Sequence, residues 1–153
     1  MIPNVLGMNT RINHAAVWIL VVVHQLIGLG WYTIFNNVWL NLHAKTMTDI
    51  ENPHEIWPYL VAIVASIVVN YALAWLLARL NANDAVAGLK IALLCWFAFL
   101  FVEHATIAMF SAFGTNHWPL TLLDMGRPLL AFGVSGLVLG GWRKRGSTTA
   151  PSS

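Results

Sequence analysis

Two adjacent residues in the segment FLFVEHATIAMF, Glu103 and His104, have side chains that could exchange protons. The other residues of this segment could all face hydrocarbon without strain. Histidine titrates near neutral pH, and a carboxylate beside it can give or take the proton. The pair therefore predicts a proton relay, or a binding site for a small polar solute, inside an apolar helix.

Three more ionisable residues, His24, Asp124 and Arg127, lie inside other apolar runs. At about 1.5 Å per helical residue, all of them reach the same half of the membrane as Glu103 and His104. Charged groups inside a membrane pair with one another or line a wet cavity, so we expect these five side chains to form one cluster. Asp124 and Arg127 are three residues apart, which predicts a charge pair on one helix face. Neighbouring helical residues point about 100° apart, so only one of Glu103 and His104 can face the bundle centre.

The six histidines of the chain raise the alternative of a haem or metal site. His24 and His104 would reach similar depths on parallel helices and could ligate haem, or could bind a transition metal together with Glu103. The chain has no Cys-x-x-Cys-His or His-Glu-x-x-His sequence, so no cofactor is predicted. The three histidines expected to be solvated in loops are His43, His54 and His117.

Hydrolytic and phosphate-binding motifs are absent from the sequence. None of the serines at 66, 111 and 135 stands in a Gly-x-Ser-x-Gly motif, and GLGWY closes an apolar run instead of following a strand. The single cysteine, Cys95, has no second cysteine with which to form a disulfide or a metal-binding pair. We therefore expect no enzymatic activity.

The composition is that of an integral membrane protein. Of the 153 residues, 58% are hydrophobic and only 9% are charged, whereas about 25% of the residues of a soluble domain are charged. The net charge of +2 comes from basic residues scattered between apolar runs. Such a distribution makes no continuous stripe for phosphates, so nucleic acid is excluded as a partner and the lipid bilayer is expected.

Four apolar runs are each long enough to cross a bilayer, which takes about 20 residues. They predict an all-α bundle of four transmembrane helices in a single domain, residues 1–145, followed by a disordered tail, residues 146–153. Aromatic residues mark the ends of the runs, as in the interfacial belts of membrane proteins. The predicted helices cover residues 13–35, 57–79, 85–113 and 119–142.

The distribution of lysine and arginine predicts the orientation. With four spans, both termini and the middle loop lie on the same side, which carries six basic residues, whereas the other side carries Lys45 alone. The positive-inside rule places both termini in the cytoplasm. We expect a multi-pass protein of a bacterial inner membrane. The six basic residues are Arg11, Arg79, Lys90, Arg143, Lys144 and Arg145.

Small residues recur along the second and fourth runs. Ala62, Ser66, Asn70, Ala74 and Ala78 follow one another at intervals of four. Such stripes allow close helix packing, and Asn70 can hydrogen-bond a neighbouring helix. We expect the stripes to serve contacts within the bundle or between copies, and a homo-oligomer or a larger membrane complex.

The chain resembles the small bacterial membrane proteins of the domain-of-unknown-function family seventeen sixty-one. The likeness lies in the glycine and aromatic residues that close the first run, the acid that opens the last and the glycine, Trp and Arg that end it. It covers most of residues 13–145 and implies a four-helix inner-membrane protein without implying an activity. The matching residues are Gly28, Trp31, Tyr32, Phe35, Trp39, Asp124, Gly140, Trp142 and Arg143.

The leading functional hypothesis is a proton-linked transporter or channel-like protein for a small solute. In it Glu103 is the titrating carboxylate, His104 and His24 are its proton partners, and Asp124 with Arg127 shapes the outer mouth. The alternative is a structural or accessory subunit whose polar network only fixes the helix register. A haem- or metal-binding protein is the third hypothesis.

Overall fold

The computed structural model describes residues 12–46, 56–111 and 117–142. Four of its helical spans are long and apolar enough to cross a membrane, which confirms the all-α, four-span prediction. The third span is continuous from Ala85 to Ser111 but contains a π-helical segment. The predicted tail lies outside the described residues. The elements are α1 (His14–Leu42), α2 (Trp57–Arg79), α3 (Ala85–Cys95), the π-helical segment (Trp96–Phe101), α4 (Val102–Ser111) and α5 (Trp118–Gly141).

Local sequence signals explain where the helices begin. The side chains of Asn13 and Asp84 each accept a hydrogen bond from a first-turn backbone N–H, over 3.3 and 2.8 Å, as N-cap residues do. Pro58 and Pro119 stand in the first turns of α2 and α5, where no backbone N–H is needed. Asn13 also donates a hydrogen bond to the carbonyl of Trp142 (3.0 Å), which ties the start of α1 to the end of α5.

Helix α1 is longer than the apolar run predicted, because it continues from Phe35 to Leu42. The asparagines of NNVWLNL lower the hydropathy there, but the segment keeps one apolar face. Leu40 is buried, and the Trp39 indole hydrogen-bonds to α5. Packing against α5 therefore extends the helix through a stretch that its polarity alone suggests is a loop.

Helix α5 is the central element of the bundle, because it packs against every other helix. Successive spans cross the bundle in opposite directions. The bundle therefore has two ends, which hold different residues. We call the end that holds Asn13 and Trp142 the terminal end. The opposite end, which holds His43 and His117, is the loop end.

The closest helix contact joins α3 to α5 through glycines. A Cβ atom on Gly88 would collide with the carbonyl oxygen of Gly136 and lie 2.9 Å from the Cα of Gly140. A Cβ atom on Gly136 would lie 2.6 Å from the Cβ of Ala92. Small residues allow such backbone contact between membrane helices, and this one fixes the rotation of α3 on α5.

The two halves of the bundle differ in how tightly they are packed. The terminal half contains the apolar core, to which α1, α2, α3 and α5 all contribute. On α2 the buried positions begin at Ser66, whereas every residue from Ile56 to Ala65 is exposed. Helix α2 therefore diverges from the other helices over residues 57–65. The bundle opens beside this part of α2, towards the loop end.

We expect Gly88→Ala to destabilise the bundle by about 1–3 kcal/mol, the usual cost of overpacking, because the new methyl group meets backbone atoms of α5. Thermal unfolding of the purified protein in detergent measures the effect. Gly30→Ala is the matched control, since a Cβ at Gly30 has no neighbour within 4 Å. Equal melting temperatures for the two variants would contradict the close α3–α5 contact.

Candidate functional site

A carboxylate with three aromatic partners lies near the loop end. The Asp124 carboxylate accepts a hydrogen bond from the Trp39 indole N–H at 3.1 Å. Its Oδ2 atom lies 3.7 Å from Nε2 of His43 and 3.8 Å from Nε2 of His104. Helices α1, α4 and α5 thus bring these side chains together, and we call the group Trp39, His43, His104 and Asp124 the carboxylate centre.

A hydrogen bond fixes which ring nitrogen of His43 carries a hydrogen. Nδ1 of His43 lies 2.9 Å from the backbone carbonyl oxygen of Trp39, so Nδ1 must carry a hydrogen. In neutral His43, Nε2 would then point a lone pair at the Asp124 carboxylate. The 3.7 Å contact with Oδ2 of Asp124 is an ion pair only when Nε2 of His43 is protonated as well.

The π-helical segment decides which of Glu103 and His104 faces inward. From the buried Ala92, a continuous α-helix would return to the same face after 11 residues, at Glu103. The wider turn of the segment Trp96–Phe101 delays this return by one residue. His104 therefore points at Asp124, the neighbouring Ala105 is buried, and Glu103 is exposed.

A second polar group crosses the middle of the bundle. Nε2 of His24 lies 2.9 Å from Oγ of Ser135, and that hydroxyl donates to Oδ1 of Asn70 at 2.7 Å. Asn70 donates to the Ser66 carbonyl at 2.8 Å, and the Gln25 amide donates to the Ser66 hydroxyl at 3.1 Å. These five residues, which we call the central chain, link α1, α2 and α5.

The direction of each hydrogen bond in the central chain follows from its donors. The Ser135 hydroxyl has one hydrogen and gives it to Asn70, so Nε2–H of His24 must be the donor to Ser135. A neutral His24 satisfies this arrangement. Asn70 is 0% exposed and would be costly to bury without these partners. The predicted role of Asn70 in joining helices is therefore supported by its contacts.

Arg127 lies between the two polar groups. Its Cδ atom is 4.0 Å from the place that a Cβ would take at Gly28. It is partly buried. Within the described part of the chain, its guanidinium forms neither a hydrogen bond nor an ion pair.

Three expectations from the sequence need correction. The five ionisable residues do not form one cluster, because His24 bonds to Ser135, His104 faces Asp124, and Glu103 is exposed. The Asp124–Arg127 pair is not formed, since Asp124 turns to Trp39 and the histidines. His43 belongs to the site instead of a wet loop, because α1 reaches further than its apolar run.

The metal hypothesis finds no ready site in the described residues. No group of three or more His, Cys, Asp or Glu side chains in ranges 12–46, 56–111 and 117–142 could hold a metal ion. His24 and His104 each have a different partner on α5. Glu103, the third candidate ligand, is exposed on α4.

Comparison with known families agrees with this architecture. The model of a family described as "Protein of unknown function (DUF1761)" matches residues 15–140, which include all four spans. The chain belongs to the DUF1761 family. No curated protein and no solved structure matches the chain. The predicted family is thereby confirmed, and the family description assigns no activity.

If the π-helical segment holds one residue more than an α-helix needs, deleting Ala98 should leave α4 in its present orientation. The fold and melting temperature should then change little, because the segment becomes α-helical and His104 still faces Asp124. Inserting one alanine after Ala98 is the control, and it should rotate α4 by about 100° and destabilise the protein. A deletion as damaging as the insertion would contradict this reading of the segment.

Proposed function

We propose that this membrane protein moves protons together with a small solute, as a transporter or channel-like protein. The observation that supports the proposal is the position of the Asp124 carboxylate, 3.7 Å from His43 and 3.8 Å from His104, at the end where α2 diverges from the bundle. Ionisable residues placed within a membrane bundle commonly mark an ion or substrate route. The family match supports a small membrane protein and leaves the activity to be proposed.

The orientation is part of the proposal. Basic residues predominate at the terminal end of the chain, so the positive-inside rule places that end in the cytoplasm of a bacterial inner membrane. The loop end, with the carboxylate centre and the diverging part of α2, then faces outward. The packed apolar core closes the cytoplasmic half. We infer an outward-open state that is sealed towards the cytoplasm.

The contacts favour a different division of roles from the one that the sequence suggested. Asp124, with two histidines beside it, is the proposed titrating carboxylate in place of the exposed Glu103. His43 and His104 are its proton partners. His24 and Asn70 are buried below the open half, where their hydrogen bonds join the helices. Movement of solute past these two residues requires the terminal half to loosen, as in alternating access.

An accessory or structural subunit is the second candidate. The hydrogen bonds of the central chain suit a group that only fixes the helix register. Glu103 and several large apolar side chains are exposed on the third span, and another copy or a larger complex could cover them. In this alternative the carboxylate centre moves no protons across the membrane.

Proton flux into liposomes separates the two candidates. We expect wild-type protein, driven by a potassium diffusion potential, to acidify the lumen faster than empty liposomes do. Asp124→Asn should reduce this flux to the background, because the amide cannot accept a proton. Glu103→Gln is the matched control and should retain the flux, since its side chain is exposed on the adjacent helix.

Two results would overturn the proposal. Wild-type flux equal to that of empty liposomes would favour the accessory role. Equal loss of flux in both variants would mean that Asp124 has no special part. Melting temperatures of the three proteins show whether any loss reflects misfolding.

A further inference from the structure

We propose that the solute carries an anionic group, a carboxylate or a phosphate, and that the Arg127 guanidinium binds it in the open half of the bundle. This inference rests on the proposed function and names the substrate class of that site. It starts from Arg127, a charged side chain at membrane level without a partner among the described residues.

The lack of a partner at Arg127 is unusual for its surroundings. An arginine inside a membrane bundle normally pairs with an acid or lines a wet cavity. The nearest acid in sequence, Asp124, is engaged by Trp39 and lies close to two histidines. The neighbouring His24 offers no negative charge. A planar guanidinium left in this way is suited to bind a carboxylate or phosphate through two parallel hydrogen bonds.

The first half of α2 does not cover Arg127. Helices α2 and α5 run in the same direction, and Asn70 of α2 meets Ser135 of α5. Arg127 precedes Ser135 by eight residues, and on α2 the residue that precedes Asn70 by eight is Ala62. Ala62 is small, exposed, and lies within the part of α2 that leaves the bundle. The space between these two positions is therefore unfilled by side chains of α2.

The groups below Arg127 suit the rest of a small polar solute. The central chain, with its serine hydroxyls and amides, crosses the bundle about 12 Å nearer the terminal end, at 1.5 Å per residue. Four of these residues are buried, and Gln25 is the partly exposed one. A solute with one anionic end and a polar body could contact Arg127 first and the Gln25 amide second.

The arrangement also couples the anion to protons. Asp124 lies one helical turn nearer the loop end than Arg127, so an entering anion passes its carboxylate. When His43 and His104 are protonated, the carboxylate centre is positive overall and attracts the anion; when they are neutral, Asp124 repels it. Of the other titratable groups near this route, His24 lies below Arg127, and Glu103 faces away on α4.

Binding of acetate and inorganic phosphate to the protein in lipid nanodiscs tests the inference by isothermal titration calorimetry. We expect at least one of these anions to bind saturably. Its affinity should be higher at pH 5.5 than at pH 8, because protonated histidines would offset the negative charge of Asp124. Arg127→Gln should weaken it at least about tenfold. Lys90→Gln is the matched control, because it also removes a positive charge, but an exposed one in the terminal half of the bundle.

A second variant keeps the test decisive if Arg127→Gln fails to fold. Ala62→Trp leaves Arg127 in place but fills the space beside it, and it should abolish binding. Failure of wild-type protein to bind either anion, or unchanged affinity in the folded Arg127 and Ala62 variants, would overturn the inference. Anion binding without proton flux would keep this site and reject transport, whereas flux without anion binding would do the reverse.

Discussion

The backbone contact between α3 and α5 at Gly88, Gly136 and Gly140 is the constraint on which the rest of the structure depends. Membrane helices gain little from apolar burial against lipid, so close packing and hydrogen bonds must hold them together. With α3 fixed against α5, the direction of every later residue of the third span follows from the helical geometry. The orientation of His104 towards Asp124 is thus set from the other end of the bundle.

The π-helical segment determines which side chain of α4 this constraint turns towards Asp124. Without it, the same glycine contact would bring Glu103 to the inner face and place two carboxylates, Glu103 and Asp124, near each other. With it, an imidazole meets the carboxylate instead. π-Helical turns often occur at functional sites, and here the turn selects the residue that Asp124 faces.

The division between a packed terminal half and an open loop half has a physical basis in the sequence of α2. Its second half carries Asn70, Leu73 and Leu77, which bond or pack within the bundle. Its first half, WPYLVAIVA, is apolar throughout and makes no hydrogen bond that would hold it to α1 or α5. Going towards the loop end, the last hydrogen bond between the described part of α2 and another helix joins Ser66 to Gln25. Beyond Ser66, contact with lipid or with another protein surface is as favourable for α2 as contact with the bundle.

Much of the architecture could be predicted from the sequence, because membrane spans depend on long apolar runs. The helical spacing of small residues on α2 likewise identified Asn70 as a contact between helices. That His104 and not Glu103 faces Asp124 could not be predicted, since it depends on one extra residue in the helix. The position of His43 in the carboxylate centre could not be predicted either, because tertiary packing extends α1 past its apolar run. Spacing allowed an Asp124–Arg127 pair, but Trp39 from another helix provides the hydrogen bond instead.

If a water-filled space opens beside the first half of α2, cysteines introduced there in a Cys95→Ala background should react with a membrane-impermeant maleimide. Ala62→Cys continues the stripe of Asn70, whereas Val64→Cys lies on the opposite face at nearly the same depth. We expect rapid labelling at 62 and slow labelling at 64. When added acetate or phosphate is bound at Arg127, labelling at 62 should become slower. Labelling at 64 as fast as at 62, or at neither position, would contradict an open, water-filled half.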